Sequence, residues 1–133
     1  MIALEALYTP SDQSEHTFRI SQNCALLIEN YAESREGTFD FLRTMFKRRG
    51  KLFHGQYDAS AQSPQDFITD EELKTLMSIV RRSVLNFLAL YLRGEEGLDK
   101  VRKDLERAVL DETFRTDFLE KANFETLLKE ESD

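Results

Sequence analysis

The chain has one cysteine, two prolines, two histidines, five glycines and no tryptophan among its 133 residues. One cysteine excludes an intrachain disulfide and a thiolate metal cluster, and two histidines would leave a zinc site dependent on carboxylates. The shortage of glycine and proline argues against a β-sandwich or barrel, which needs a turn signal about every ten residues. No continuous apolar run approaches the roughly 20 residues of a membrane span. The start, Met1-Ile2-Ala3-Leu4-Glu5, has no basic n-region and no apolar h-region. These absences lead to the expectation of a cytoplasmic protein with no membrane partner. Glycine-rich phosphate loops, H-E-x-x-H and G-x-S-x-G are also missing, so neither a metal nor a cofactor is expected.

The sequence is 41% hydrophobic and 32% charged, enough apolar residues for one core and one domain over residues 1–133. Apolar positions recur with period 3.6. They predict a short helix ending before Pro10, a second from a Ser14 cap to about Tyr31, and a turn at residues 34–37. A third helix is predicted over residues 38–54 with Gly55 as C-cap, followed by a polar loop at about residues 56–66. Thr69 and Glu72 form a capping-box pair at the head of a long helix over residues 71–92. Gly94 and Gly97 punctuate the chain. Two shorter helices fill residues 98–128, with a break near residues 111–113. The expectation is all-α: an up-and-down bundle of five to six helices. An apolar pattern (Ile2, Leu4, Leu7) begins at once with no cap before it. The chain therefore reads either as a fragment of a longer parent or as a protein with a short natural start.

Charge is distributed unevenly. The net charge is -7, yet between Asp40 and Asp58 there are five basic residues (Arg43, Lys47, Arg48, Arg49, Lys51) and no acidic one, leaving -12 on the remainder. The total argues against broad coating of a nucleic acid, whose binders are usually basic. A local anion site stays open, because a field is set by nearby charges. The plainer alternative is a cationic face that pairs with acidic helices of its own subunit.

On a helix of about 100° per residue, Phe39, Leu42, Phe46 and Phe53 share one face with Arg49 at its edge. Phe41, Met45 and Leu52 share another, with Arg48 among them. A helix apolar on two sides is sandwiched between neighbours. The remaining strip carries Arg43, Lys47, Gly50, Lys51 and His54. Arg49 and His54 stand about 140° apart on a straight helix. They converge only through a bend near Gly50 or across a twofold contact of this helix with its copy.

Arg49-Gly50-Lys51-Leu52-Phe53-His54-Gly55 resembles the R-x4-6-H motif of the HEPN superfamily, in the form R-[polar]-K-[apolar]-[apolar]-H-G of its Apea-like branch. Glu5-Ala6-Leu7-Tyr8, Glu15 with Phe18-Arg19-Ile20-Ser21, Arg81-Arg82 and Asp104-Leu105-Glu106-Arg107-Ala108 resemble the helices that surround that motif. The likeness spans roughly residues 4–111. It implies a helical bundle that dimerises through the 38–55 helix and forms one composite site. It also implies a metal-independent endoribonuclease, of the kind found as toxins or effectors of defence systems and held by a regulatory protein or antitoxin. By this resemblance His54 is the general acid or base and Arg49 holds the scissile phosphate. Lys47, Arg48, Lys51 and Arg43 guide the RNA, and Glu15 and Arg19 give structural support. Gly50 departs from the usual polar residue after the motif arginine. A second register starts at Arg48, as R-x5-H with Arg49 in the polar slot. The alternative function is a non-catalytic HEPN module for dimerisation, RNA or nucleotide binding, or partner docking; a plain helical adaptor is the third. Cys24, inside an apolar run, is read as core.

Overall fold

A computed structural model describes residues 1–8, 16–53, 67–94 and 97–133 (for 51–53 the backbone alone). These residues form seven helices and no strand: α1 (Ile2–Tyr8), α2 (His16–Ile28), α3 (Ala32–Phe53), α4 (Asp70–Leu92), α5 (Leu98–Leu110), α6 (Glu112–Ala122) and α7 (Phe124–Ser132). The all-α expectation holds.

The core is built around α2. From Ile20 to Ile28 nearly every α2 side chain is buried, as expected of a helix enclosed on all sides. α1, α3, α4 and α5 pack around it, and α6 and α7 close against α4. Leu4, Ile20, Leu42, Ile79, Leu90 and Leu105 are fully buried where these helices meet. The edge-on ring pair of Tyr8 and Phe87, centroids 5.2 Å apart, ties α1 to α4.

The helix ends follow local chemistry. Thr69 Oγ1 accepts the Glu72 N–H at 3.1 Å, and Glu72 Oε1 accepts the Thr69 N–H at 3.1 Å. This capping box satisfies donors that have no partner inside the helix. Thr69→Ala is expected to lower the unfolding free energy by about 1 kcal/mol in urea melts. Gly94 and Gly97 adopt φ of +86° and +81°, a conformation that favours glycine. Asp111 caps α6 through the Phe114 N–H at 2.9 Å, at the predicted break.

Three boundaries differ from expectation. Residues 34–37 are helical, because α3 already starts at Ala32. The reversal lies just before it, where Arg35 Nε and Nη2 donate to the carbonyls of Glu29 (3.0 Å) and Asn30 (3.2 Å). Gly37 is carried inside the helix, with nothing near the position of its absent Cβ. α2 stops at Ile28, leaving Tyr31 exposed. A seventh helix arises because Asn123 Oδ1 accepts the Thr126 N–H at 3.1 Å and divides α6 from α7. The predicted 56–66 loop, the Ser14 cap and the Gly55 C-cap lie outside the described residues.

One compositional expectation is also corrected. By length and composition α4 is apolar enough to cross a membrane, with a mean hydropathy of 1.2 over its best 18 residues. A count of uninterrupted apolar residues missed this, because Arg81 and Arg82 interrupt the run.

Candidate functional site

The cationic segment forms the second half of α3. Leu42, Met45 and Phe46 are buried and anchor the helix, mainly against α2. Among the described side chains, members of both apolar stripes are therefore engaged inside the subunit, with Phe39 and Phe41 half-buried. Arg43 and Lys47 are exposed. The Arg43 guanidinium donates to Thr17 Oγ1 at 3.2 Å and lies 5.7 Å from the centroid of the Phe18 ring, within cation–π range. Phe18 in turn meets Phe39 edge-on at 5.4 Å.

The two motif arginines are held by carboxylates from other helices. Arg48 Nη1 donates to Glu72 Oε2 of α4 at 2.5 Å and to the Phe67 carbonyl at 3.5 Å. Arg49 Nη1 donates to Glu5 Oε1 of α1. The side chains of both pairs are partly shielded, between 23% and 37% exposed. The N–H of Thr69 holds the Glu72 carboxyl below its ordinary value, with the Arg48 guanidinium adding to the effect. The helix ends thus bring Glu5, Arg48, Arg49 and Glu72 into one neighbourhood. A guanidinium carries five N–H donors in a rigid fork, and a carboxylate oxygen on Nη1 restrains each of these side chains.

Of the remaining candidates, His54 and Glu15 lie outside the described residues, as does the Lys51 side chain. Arg19 ion-pairs with Glu106 of α5 at 3.6 Å, so its recorded partner is on α5. The structure adds two groups to which the sequence assigned no site role. Glu5 carried no sign of its distant partner, and Glu72 was accounted for by its cap. Among the described residues, no cluster of three or more histidine, cysteine or acidic side chains could hold a metal.

Elsewhere among α1–α4 lies a set of partly buried to fully buried polar groups. Glu29 Oε1 accepts from Arg82 Nη1 at 3.0 Å and from Thr38 Oγ1 at 2.9 Å. Cys24 Sγ and Ser83 Oγ are 3.5 Å apart, and the fully buried Tyr8 hydroxyl has no hydrogen-bond partner among the described residues. Burial pushes the Tyr8 phenol up and the Cys24 thiol from 9.0 to about 11. Both acids then hold their protons longer folded than unfolded, so stability is full below the unfolded thiol value and falls as pH rises through it. Between pH 8 and pH 10 the unfolding free energy is expected to drop by about 1–2 kcal/mol. Urea melts test this, and Cys24→Ala is expected to flatten most of the slope.

Comparison with family models, with curated proteins and with solved structures finds no match to this chain.

Proposed function

We propose that the chain is a HEPN-type, metal-independent endoribonuclease domain, with Arg49 and His54 as catalytic residues. The observation that supports this most is the Arg49–Glu5 pair at the partly exposed end of a cationic helix, because a guanidinium restrained by a carboxylate loses less freedom when its fork takes a phosphate. In the reaction, an imidazole removes the RNA 2′-OH proton and the 2′ oxygen attacks phosphorus. The 5′ oxygen leaves and takes a proton, giving a 2′,3′-cyclic phosphate and a 5′-OH. Arg49 stabilises the charge that develops on the phosphoryl oxygens. Lys47, Arg43, Arg48 and Lys51 supply the field for the RNA backbone. Incubation with RNA in EDTA tests the proposal: cyclic-phosphate ends are expected, and no cleavage overturns it.

A composite site needs a second copy, and α4 carries the surface best suited to one. Leu73, Met77, Val80, Val84, Leu88 and Tyr91 fall within an arc of about 80° along roughly 27 Å of helix. All but the half-buried Val80 are exposed, Met77 by 64% and Tyr91 by 70%. Met77, Val84 and Tyr91 repeat at seven residues, as do Leu73 and Val80, which is the pattern of a helix–helix seam. The stripe begins beside the Arg48–Glu72 pair. Two α4 helices packed in parallel about a twofold axis bring both motifs to one end. An antiparallel pair separates them by about 30 Å. The proposed homodimer is therefore the parallel one, and its face is α4 in place of α3.

The non-catalytic module is favoured by one observation: Arg48 and Arg49 are both already ion-paired within the subunit. In that reading the same dimer forms and RNA binds at low salt without being cut.

A further inference from the structure

On the α2–α3–α5 side of the bundle, away from Arg48 and Arg49 in its lining but sharing Phe18 with the Arg43 contact, an open pocket of about 380 Å³ is lined mainly by apolar side chains, among them Phe18, Leu26, Phe39 and Val109. A second, more polar pocket of about 280 Å³ is lined by Asn30, Thr116 and Asn123. Arg35 and Arg115 line both. Arg35 spends Nε and Nη2 on the carbonyls of Glu29 and Asn30, and Arg115 spends Nη1 on the Ala108 carbonyl at 3.3 Å. Those carbonyls lie at the C-terminal ends of α2 and α5, where cations are favoured. Neither arginine has an ion-pair partner among the described residues, although Glu36 lines the apolar pocket and Glu120 the polar one. Burial and the neighbouring Arg115 both lower the Arg35 guanidinium below its ordinary value. Two half-buried cations with unspent donors thus stand between an apolar pocket and a polar one. The apolar pocket's own lining carries two guanidiniums and one carboxylate, a net positive charge, while Glu120 on the polar side brings the two pockets together to neutral; the apolar volume lies in the usual range for small-molecule sites.

We propose that this is a binding site for a small amphipathic carboxylate, with its head on Arg35 and Arg115 and its chain against Phe18, Phe39, Leu26 and Val109. A planar carboxylate matches the guanidinium fork. The apolar wall selects a medium-length acyl or arylalkyl chain over a bare anion.

Decanoate is the probe, titrated into the full chain by calorimetry, with acetate, decanol and AMP alongside. Saturable one-to-one binding below 1 mM decanoate is expected, with acetate and decanol each at least about 10-fold weaker. Arg115→Gln is expected to weaken decanoate binding about 10-fold, and Val109→Trp to weaken it by filling the apolar pocket. Circular dichroism checks that both variants fold. The proposal is overturned by absent saturation, by decanol binding as tightly as decanoate, by AMP binding where decanoate does not, or by folded variants that both bind like the wild type.

Discussion

Arg49→Ala and His54→Ala are each expected to reduce RNA cleavage in EDTA by at least about 100-fold. A positioned acid or base contributes about 10²–10⁴-fold, and an electrostatic stabiliser of the transition state about 10²–10³-fold. The reduction is expected in kcat, because in the proposed reaction both groups act on charge and protons that move only in the transition state. Glu5→Gln keeps an acceptor beside Arg49 and removes the negative charge, so its cleavage falls by a smaller factor while RNA binds at least as tightly. Cleavage is expected to rise with falling salt, since the proposed phosphate contacts would release counterions. The measurement is cleavage of a labelled RNA with product-end analysis. Wild-type cleavage that survives in both Arg49→Ala and His54→Ala ends the catalytic proposal. Salt-sensitive RNA binding without cleavage leaves the non-catalytic module.

The second large effect is at α4. A Met77→Glu, Val84→Glu double variant is expected to run as a monomer in sedimentation velocity at concentrations where the wild type is a dimer. Four carboxylates would enter the twofold seam, and even a modest desolvation cost per group weakens the dimer by about 1,000-fold or more. Both residues are exposed in the single subunit, so its helicity and melting temperature change little. Cleavage is expected to be lost with the dimer. Orientation is read separately with Met77→Cys: parallel packing places the two new thiols together and yields a crosslinked dimer on mild oxidation. The native Cys24 is buried and does not compete. A wild-type monomer at high concentration, a double variant that still dimerises, or crosslinking only when Met77→Cys is paired with Leu88→Cys refutes the parallel arrangement. A monomer that binds lipid vesicles through this stripe refutes it as well.

Much of the fold was legible because its signals are local. The capping box at Thr69 and Glu72, the glycines at 94 and 97 and the cap at Asp111 each rest on residues within a few positions of one another. The burial of Leu42, Met45 and Phe46 follows from helical period alone. The residues at 34–37 were misread for a physical reason. Ser34, Glu36 and Gly37 have the composition of a turn, yet Arg35 reaches back to the end of α2 and secures a helix through them. Asn123 is an ordinary N-cap, and its signal was available but weak among the polar residues around it.

The candidate site divides in the same way. The concentration of positive charge on one helix, its two apolar stripes and the Arg49–His54 spacing are properties of the chain and were determined by sequence. The pairing of Arg49 with Glu5 and of Arg48 with Glu72 was decided by tertiary structure, because partners 44 and 24 residues away are chosen by how helices cross. The same holds for the exposed stripe on α4. In the sequence its residues are indistinguishable from the core positions Leu76, Ile79 and Phe87 beside them. Only the packing of α1, α2, α6 and α7 against one side of that helix determines which apolar face is covered and which is left exposed.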